Sequence, residues 1–392
     1  MIASADTMSL RDKAVLSGIG ETRYVRAPGS GKTPIALQME AALAAIADAG
    51  LKPSDIDGII PFAIPPLVAE DFVTNFGIPD LKFSALTPMG GASATASLQC
   101  AAAAIAGGIC RHVLISLGRN GYSGTRITSR LAAMPQFRVV GEFEVPSGAV
   151  APAQFYAPIA RRHMELYGTT SRQLAEIAVT MRRHALLNGN AVMKEPLTVE
   201  EHQSSRLIAD PFRMFDCSLE SDGAACVVIS AADHVQDMPK RAVYLSGVGE
   251  GHPESPSAVS QRRDLLAFGT HKAARRAFAM AGVTPANIDV AEIYDCFTFI
   301  VLRQLEELGF CAAGEGGAFV EGGGISLGGR LPVNTHGGLL SQAHVGGMNH
   351  IVELVRQLRG EAGRAQVKDA EVGLVTGFGD MCDGSVAIMR RG

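Results

Sequence analysis

The sequence predicts an α/β fold made of two similar halves, each with a mostly parallel sheet. An internal repeat is the first observation: residues 15–20 (VLSGIG) return as residues 244–249 (YLSGVG), and residues 41–57 return as residues 273–289 with Ala, Gly, Pro, Ile and Asp at a constant offset. Each copy has the pattern of a strand, a helix that ends at a glycine, and a proline turn that leads to the next strand. Strands and helices that alternate in this way indicate mostly parallel sheets.

Paired glycines extend the repeat beyond these segments. Gly90 and Gly91 precede a helix of small residues and then a strand, and Gly346 and Gly347 precede a second helix and strand. Both halves have very apolar helices, so we expect one layer of helices to lie between the two sheets.

The repeat also predicts how the chain is divided. We expect a boundary near residue 240, with an N-terminal half at residues 1–240 and a C-terminal half at residues 241–392. Residues from about 120 to 212 have no counterpart in the second half. We interpret this stretch as an insertion in the N-terminal half that covers one face.

The composition is that of a protein with a large core and a nearly balanced charge. Of the 392 residues, 47% are hydrophobic and 19% are charged, and the net charge is -4 at pH 7. A slightly acidic chain does not attract nucleic acid or an anionic membrane surface electrostatically. The small charged fraction indicates that part of the surface is covered by self-association, so we expect a homodimer.

The sequence contains no clear targeting, membrane or metal signal. Residues 1–13 lack the apolar stretch of a secretory signal, and no uninterrupted apolar run reaches about 18 residues. We therefore expect a cytoplasmic protein without a membrane span. The seven cysteines are scattered and never spaced as CxxC, so we expect neither disulfides nor a zinc site, and no other metal site is apparent.

Four segments carry a resemblance to a known family. They are the N-terminal strand and helix, residues 216–225 (DCSLESDGAA), residues 292–297 (EIYDCF) and residues 334–338 (NTHGG). Their order and spacing over nearly the whole chain resemble the thiolase superfamily, specifically its sterol-carrier-protein-type branch. The resemblance implies a five-layer αβαβα fold, a homodimer and an active site between the two halves.

The first catalytic loop of this family places a nucleophilic cysteine at the start of a helix, where the helix dipole and backbone amides favour a thiolate and an oxyanion. Here the family register puts Gly91 at the cysteine position, and no cysteine lies within eight residues of it. A helix start at Gly91, Ala92 and Ser93 is still suited to hold a thioester oxyanion. Ser93 is either a substitute nucleophile, which no adjacent base motif supports, or a cap of the helix.

The second catalytic loop contains the main departure from the family. It normally reads Asn-Glu-Ala-Phe, or His-Asp-Cys-Phe in the sterol-carrier branch, and here it begins with Tyr294 and Asp295. A phenol can donate a hydrogen bond and, when ionised, can act as a base. The resemblance therefore makes Tyr294 a catalytic candidate, with an ordinary core tyrosine as the alternative. We expect Asp295 to bond loop amides.

The third catalytic loop keeps its histidine, His344, while the neighbours of this residue change. In thiolases this histidine stabilises the thioester oxyanion and moves protons, which are natural roles for an imidazole. The resemblance makes His344 the second catalytic candidate. We expect the nearby His336 and His350 to be turn or helix-surface residues.

The C-terminal loop falls where thiolases keep a second, acid–base cysteine. Gapless counting back from residues 387–389 puts Gly379 at that place. Cys382 occupies it only after a small shift in register, and it is otherwise a loop thiol. It is a further candidate site residue.

The residues that remain suit a reaction without an acyl-enzyme. Claisen condensation needs a thiolate to carry the acyl group, and Gly91 has none. Retro-aldol cleavage of a β-hydroxyacyl-CoA needs only a base for the β-hydroxyl and a site that stabilises the thioester enolate. We expect Tyr294 to be the base and a coenzyme A thioester to be the substrate, with no covalently bound cofactor. An unperturbed tyrosine is ionised only to roughly one part in a thousand at pH 7, so the base needs electrostatic help.

The pattern resembles thiolase-like aldolases that shorten steroid or bile-acid side chains. Those proteins work with a small OB-fold partner that carries a zinc ribbon, so the resemblance implies such a partner in a heterotetramer. Two alternatives stay open. One is an acetyl-CoA acetyltransferase-type enzyme that uses a displaced cysteine, and the other is a non-catalytic acyl-CoA-binding scaffold. The presence of Tyr294 and His344 argues against the scaffold.

Overall fold

The structure is a computed structural model that describes residues 9–62, 67–131, 137–254, 259–379 and 382–392. The strands are β1 (Ala14–Glu21), β2 (Gly58–Phe62), β3 (Phe83–Ser84), β4 (His112–Asn120), β5 (Leu207–Ala209), β6 (Phe212–Arg213), β7 (Asp222–Ala231), β8 (Val243–Gly251), β9 (Val290–Glu292), β10 (Val372–Gly379) and β11 (Asp383–Arg391). The helices are α1 (Pro34–Asp48), α2 (Ala69–Phe76), α3 (Ser93–Ala106), α4 (Ile127–Leu131), α5 (Arg138–Phe143), α6 (Pro152–Tyr167), α7 (Ser171–Ala185), α8 (Val199–Ser204), α9 (Gly269–Ala281), α10 (Thr298–Glu307), α11 (Gly316–Val320) and α12 (Met348–Arg359).

The main sheet repeats one strand order in its two parts. Within the described residues the order is β3-β2-β4-β7-β1-β8-β11-β10-β9, and β5 pairs separately with β6. The order β2-β4-β7-β1 of the first part returns as β9-β10-β11-β8 in the second. The two parts join where β1 pairs with β8 through Val15 with Tyr244 and Leu16 with Val243.

The helices complete five layers. α1 packs on β1, β4 and β7, and α9 packs on β8 and β11. Two helices, α3 and α12, contact strands from both parts of the sheet and therefore lie between them. The predicted five-layer α/β arrangement is confirmed.

The strand directions differ from the prediction, because the pairing is mixed rather than mostly parallel. Strand β2 is parallel to β3 and β4, and β9 is parallel to β10. Strands β7 and β11 are antiparallel to both of their neighbours. Strand β10 pairs antiparallel with β11 over its whole length, from Val372 with Arg390 to Gly379 with Asp383. Each half is thus a parallel strand–helix–strand unit closed by an antiparallel strand.

The two repeated segments have similar structures. Residues 41–57 and residues 273–289 both contain the end of a helix followed by one turn of 3-10 helix that begins with proline. The predicted insertion at about 120–212 contains α4 to α8 and packs against α10 and α11 of the C-terminal half through α7. The boundary near residue 240 stays a prediction. None of the described helices is long and apolar enough to cross a membrane.

A buried arginine ties the central helix layer to the outer one. The Arg359 guanidinium, with a fully buried side chain, donates to Asp48 Oδ2 at 2.7 Å and to the Ser17 carbonyl at 2.8 Å. Burial alone would raise the pKa of Asp48, but hydrogen bonds from Arg359 and Lys240 hold it below the ordinary value. A carboxyl group with a lowered pKa stabilises the fold above its unfolded pKa of about 3.9, and that contribution is lost as the pH falls through the folded value.

We predict that Arg359→Met lowers the free energy of unfolding by about 3–5 kcal/mol, because it leaves the Asp48 carboxylate without its buried partner. Urea denaturation at neutral pH measures this. A matched control is Arg111→Met, since Arg111 pairs with Asp233 and both side chains are more than half exposed. That variant should lose less than about 1 kcal/mol. Equal losses in the two variants would contradict the role of Arg359.

Candidate active site

A cavity of about 290 Å³ lies where the insertion meets the ends of β4, β9 and β10. Much of its wall is aromatic, formed by Phe137, Phe155, Tyr156, Phe297 and Phe378. Polar side chains also reach it, among them Tyr294, His344, Arg119 and Ser218. An apolar cavity with a few converging polar groups is typical of a site for a bulky apolar substrate.

Tyr294 is held in the cavity wall by its backbone. Its N–H donates to Thr376 Oγ1 at 2.9 Å, and its carbonyl accepts from Gln304 Nε2 at 2.7 Å. Thr376 Oγ1 in turn donates to Gln304 Oε1 at 2.7 Å. Strand β10 and helix α10 therefore fix the position from which the phenol projects.

His344 faces the Tyr294 hydroxyl with an acceptor nitrogen. The Nε2 atom lies 3.2 Å from the Tyr294 oxygen, and Nδ1 lies 3.2 Å from the Leu219 carbonyl oxygen and 3.2 Å from Ser218 Oγ. A carbonyl oxygen can only accept a hydrogen bond. His344 Nδ1 therefore carries a proton and donates a hydrogen bond to the Leu219 carbonyl. In a neutral imidazole Nε2 is then unprotonated, and the Tyr294 hydroxyl donates to it.

The backbone of His344 is also anchored. Its N–H donates to Ser221 Oγ at 2.9 Å, and its carbonyl accepts from Arg119 Nε at 2.7 Å. Ser218, Leu219 and Ser221 belong to the segment that carried part of the family resemblance, but sequence reasoning did not identify them as the residues that orient His344.

Gly91 lies so close to Tyr294 that no side chain fits between them. A Cβ atom on Gly91 would be 2.3 Å from the Tyr294 hydroxyl oxygen and 2.3 Å from the Phe378 carbonyl oxygen. On another side of the ring, a Cβ atom on Gly347 would be 2.9 Å from Tyr294 Cδ2. Tyr294 therefore occupies the space that a nucleophilic side chain at position 91 would need.

Of the three residues predicted to hold the oxyanion, Gly91 lines the cavity and Ala92 and Ser93 do not. Gly91 lines the cavity together with Gly90, which sequence reasoning had not included. The Ala92 N–H donates to the Met89 carbonyl at 3.0 Å, and Ser93 Oγ accepts from the Met89 N–H at 3.0 Å. Because a turn of 3-10 helix at Gly90–Ala92 precedes α3, Ala92 and Ser93 lie beneath the cavity wall. Ser93 is thus the first residue of α3, with its Oγ bonded to the Met89 amide, and it is not among the residues that line the cavity.

The structure does not bring Cys382 into the cavity. It is buried beside Arg262, whose Nη1 lies 2.7 Å from the sulfur, and burial raises the pKa of the thiol to about 12 despite that charge. Gly379 lines the cavity instead. A Cβ atom on Gly379 would be 2.4 Å from the Gly91 nitrogen, so the two loops are packed backbone to backbone.

Two other cysteines, Cys217 and Cys296, line the cavity although the sequence did not single them out. Burial, with a smaller effect of the Asp216 carboxylate, raises the pKa of Cys217 to about 12. Burial and Asp295 raise the pKa of Cys296 well above its ordinary value. Both groups are thiols near neutral pH and are therefore weak nucleophiles.

Asp295 has the contacts that the sequence predicted for it. It is fully buried and accepts from the backbone amides of Leu339 at 2.7 Å and Leu340 at 3.2 Å. His336 lies in a turn, as expected, and is buried there, whereas the expectation of a helix-surface residue is wrong for His350, which lies on α12 and is fully buried. They lie on the central helix layer and on the loop beside it, where no surface is available. No group of three potential metal ligands occurs in the described parts of the chain.

Comparison with known proteins gives three kinds of match. A model of the thiolase C-terminal domain-like family matches residues 251–391. A 17-hydroxy-3-oxo-4-pregnene-20-carboxyl-CoA lyase of Mycobacterium tuberculosis is 40% identical, with 90% of this chain and 92% of the relative covered. A steroid side-chain-cleaving aldolase of Thermomonospora curvata is 38% identical over 88% of this chain and 90% of its own.

Similar solved structures include an aldolase and a thiolase. The Ltp2-ChsH2(DUF35) aldolase superposes with a TM-score of 0.90 at 37% identity and covers 98% of this chain and 99% of its own. Human mitochondrial 3-ketoacyl-CoA thiolase superposes with a TM-score of 0.72 at 16% identity over 97% and 99% of the two chains, which shows a shared fold.

We predict that Gly91→Ala lowers the free energy of unfolding by about 1–3 kcal/mol and displaces the Tyr294 ring, because the backbone carbonyl of Phe378 cannot rotate away from the added methyl group. Thermal denaturation and a crystal structure of the variant measure both effects. Gly141→Ala is the matched control, since a Cβ atom there meets no atom within 4 Å and the residue lies inside α5. The control should be neutral or stabilised by up to about 1 kcal/mol. An undisturbed Tyr294 in Gly91→Ala would contradict the steric argument.

Proposed function

This chain belongs to the thiolase superfamily, within the branch of steroid side-chain-cleaving aldolases, and we propose that it breaks the Cα–Cβ bond of a β-hydroxyacyl-CoA with a steroid-sized acyl part. The family and the carbon–carbon lyase class predicted from the sequence are confirmed by these relatives. The substrate and the roles of individual residues are proposals that rest on the site.

One observation carries the proposal for the mechanism. The Tyr294 hydroxyl occupies the place of the missing nucleophile and donates to His344 Nε2 at 3.2 Å. A proton acceptor thus lies where thiolases hold a covalent carrier. A base in place of the nucleophile suits a reaction that begins with removal of a proton and forms no acyl-enzyme.

The first step uses the Tyr294–His344 pair. The β-hydroxyl of the substrate gives its proton to the Tyr294 oxygen while Tyr294 passes its own proton to His344 Nε2. The electron pair of the β-oxygen forms a carbonyl at Cβ, and the Cα–Cβ bond breaks. Because the Leu219 carbonyl holds the Nδ1 proton, the imidazole accepts at Nε2 and becomes an imidazolium. Tyr294 therefore needs no full ionisation.

The second step takes place on the enolate. The bond electrons move to the thioester oxygen, which we place at the start of the helix, near the amides of Gly90 and Gly91. Early helical amides have no partner within the helix and lie at the positive end of its dipole. A proton returned to Cα then gives a shorter acyl-CoA, so the products are a ketone and an acyl-CoA, and no proton is gained or lost overall.

The cavity supports a large, rigid acyl part. Its wall contains seven phenylalanine and tyrosine side chains, and Tyr156 contacts Phe297 and Phe378 with ring centroids 5.2 and 5.9 Å apart. A wall of large aromatic surfaces favours a rigid ring system over a flexible chain, because the ring system loses less conformational freedom on binding.

An acyltransferase would need a thiolate that the cavity does not supply. Tyr294 and the Phe378 carbonyl exclude a side chain at position 91, and Cys382 lies outside the cavity wall. Burial keeps the two cysteines of the wall, Cys217 and Cys296, protonated. We therefore do not propose the acetyltransferase reaction, although an acetyl-CoA acetyltransferase of Methanothermobacter thermautotrophicus is 35% identical over 87% of this chain and 90% of its own.

We also propose a cytoplasmic assembly. A homodimer was expected from the composition and the family resemblance, and the similar aldolase structure contains a ChsH2(DUF35) component. A small partner protein with an OB fold and a zinc ribbon, two copies on one dimer, is the corresponding proposal for this chain. The mass of the co-expressed complex in solution tests it.

We predict that the chain, assayed alone and with a co-purified partner, converts a β-hydroxyacyl-CoA with a steroid-sized acyl part to one ketone and one acyl-CoA in equal amounts. Liquid chromatography of the products measures this. Intact-mass analysis after incubation with acyl-CoA should show no adduct. A stable acyl adduct would favour the acyltransferase, and inactivity on every such substrate would favour the scaffold.

We predict that Tyr294→Phe lowers turnover by about 100- to 10,000-fold, the usual contribution of a general acid–base group, while the melting temperature changes little. His344→Ala should lower turnover by about 100- to 1,000-fold or more, because it removes the acceptor for the same proton. In the double variant the two losses should be less than additive, since both residues serve one transfer.

The matched control is Tyr156→Phe. Tyr156 also lines the cavity, but no step of the proposed reaction uses its hydroxyl. It should retain turnover to within a few fold. Normal turnover in Tyr294→Phe would reject Tyr294 as the base, whereas a loss of folding in both variants would assign the pair to stability alone.

A further inference from the structure

A pocket of about 370 Å³ is lined by residues 23–27 and 189–194 and shares no lining residue with the active-site cavity. Three of its side chains are cations, those of Arg23, Arg26 and Lys194, and all three are exposed to solvent. None of the described residues in its lining is a carboxylate. In a chain with a net charge of -4, a pocket with this lining is suited to an anion, and we name it the basic pocket.

The carboxylates that lie near the basic pocket in the sequence bind other groups. Glu21 accepts from the Tyr24 hydroxyl at 3.0 Å and from Arg356 at 2.9 Å. Asp222 accepts from the amides of Ser30 at 2.8 Å and Tyr122 at 2.8 Å. In the described parts of the chain, the three cations of the basic pocket form no ion pair with a carboxylate. Their N–H donors are therefore available to an anionic ligand.

The shape of the basic pocket is fixed by hydrogen bonds between its two segments. Asn190 Oδ1 accepts from the Tyr24 N–H at 3.1 Å, and its Nδ2 donates to the Thr22 carbonyl at 2.9 Å. Val25 and Asp222 exchange two backbone hydrogen bonds, at 3.1 and 2.8 Å. The backbone that carries the cations is thus held in place before any ligand binds, which lowers the cost of ordering on binding.

One wall of the basic pocket is bonded to the segment that leads to His344. The N–H groups of Val192 and Met193 donate to the carbonyls of Gln342 at 2.9 Å and Ser341 at 3.1 Å. The catalytic histidine follows two residues later in the chain. The basic pocket therefore lies beside the loop that forms the polar side of the active-site cavity.

A row of basic and aromatic side chains connects the basic pocket to the cavity. The Arg26 guanidinium lies 5.9 Å from the centroid of the Tyr122 ring, and the Arg126 guanidinium lies 4.6 Å from the same centroid. Arg126 Nη1 donates to Glu220 Oε2 at 2.7 Å, and Glu220 lines the active-site cavity. A ligand that leaves the cavity past Glu220 would therefore follow these side chains to the basic pocket.

The two ends of an acyl-CoA need different surroundings. The aromatic side of the cavity suits the acyl part, whereas Arg119, Ser218 and Glu220 form a polar side. The pantetheine arm of coenzyme A contains amides and a hydroxyl, which need hydrogen-bonding partners when they are buried. Beyond this arm, the nucleotide carries a pyrophosphate and a 3′-phosphate, and arginine and lysine bind such groups through charge-assisted hydrogen bonds.

We propose that the basic pocket binds the phosphate groups of the coenzyme A part of the substrate, with Arg23, Arg26 and Lys194 as the donors. The inference rests on the proposed function, because it takes a coenzyme A thioester as the substrate. The pantetheine arm then leaves the cavity on its polar side, and the acyl part stays on the aromatic side.

A groove beside α6 is the competing place for these phosphates. It contains Arg162 and Arg263, but Glu144 and Asp264 also line it, and their negative charges oppose a phosphate. The groove meets the active-site cavity at Phe155, on the aromatic side that suits the acyl part. Both observations favour the basic pocket.

Binding of coenzyme A, measured by isothermal titration calorimetry, tests the inference without turnover. The full chain is used, together with its partner where the two co-purify. Arg23→Gln and Arg26→Gln should each weaken binding on the order of 10-fold, because each variant removes a charged donor from a phosphate. Adenosine 3′,5′-bisphosphate should show the same loss. Added salt should weaken the binding of coenzyme A more in the wild-type protein than in the variants.

Turnover separates the phosphates from the rest of the substrate. In Arg23→Gln and Arg26→Gln, the KM of a β-hydroxyacyl-CoA should rise on the order of 10-fold, while kcat changes little. The KM of the corresponding pantetheine thioester, which has no phosphate, should be the same as in the wild-type protein. An equal rise for both thioesters would overturn the inference.

Arg162→Gln is the matched control, since Arg162 is also an exposed arginine in a groove. It should leave the affinity for coenzyme A unchanged. Wild-type affinity in both Arg23→Gln and Arg26→Gln, or a loss in Arg162→Gln alone, would overturn the inference and leave the proposed reaction intact. Weakened binding in the two pocket variants, without turnover of any β-hydroxyacyl-CoA by the wild-type protein, would support the inference and reject the reaction.

Discussion

The narrow slot around the Tyr294 ring constrains the rest of the site. Backbone atoms of Gly91, Gly347 and Phe378 border the phenol so closely that a single added carbon atom at Gly91 or Gly347 would overlap the ring. Backbone atoms cannot rotate aside as side chains do. The position of the hydroxyl is therefore determined by the packing of the central helices against β9 and β10, and the same packing delivers it to His344 at 3.2 Å.

The electrostatic surroundings of the phenol differ on its two sides. The cavity side is largely apolar, which strengthens the hydrogen bond between Tyr294 and His344 because little water competes for it. On the interior side the His350 ring lies nearly parallel to the phenol with centroids 6.1 Å apart, and its Nε2 is 3.0 Å from Asp295 Oδ1. A weak acid can act as a base at neutral pH only if its ionised form, or a concerted proton transfer, is stabilised. The contact of the Tyr294 hydroxyl with His344 Nε2 at 3.2 Å is suited to a concerted transfer.

The sequence predicts those parts of the structure that correspond to a repeated pattern or to a fixed position in the family register. The repeat of helix, glycine and proline turn identifies the layers, and the family register identifies Gly91, Tyr294 and His344. Strand direction has no such pattern in the sequence, because a buried strand is equally apolar whether its neighbour is parallel or antiparallel. The tautomer of His344 depends on the Leu219 carbonyl, and a backbone carbonyl is present at every residue. Its position cannot be read from residue identity.

The burial of His350 could have been predicted from the repeat itself. The repeat places α12 opposite α3 in the central layer, where both faces of a helix contact strands. A histidine in such a helix has no surface to reach, so its expected location follows from the layer rather than from its polarity. The polarity of a histidine predicts a surface position because it is a property of one residue, whereas the layer is a property of the whole chain.

The loss of the thiolase cysteines is also a change of shape. The register places glycine at both cysteine positions, and a Cβ atom on Gly379 would lie 2.4 Å from the Gly91 nitrogen and 2.2 Å from the Met89 carbonyl oxygen. The loops that contain Gly91 and Gly379 pack so closely that neither position has room for a side chain. Tyr294 fills the space on the cavity side. A cysteine restored at position 91 alone would meet both the phenol and the Phe378 carbonyl. The two loops would have to separate, and the ring would have to leave its slot, before a thiolate could be accommodated. The base and the absence of the nucleophile are thus one structural feature, because the same backbone packing that positions Tyr294 excludes the cysteine.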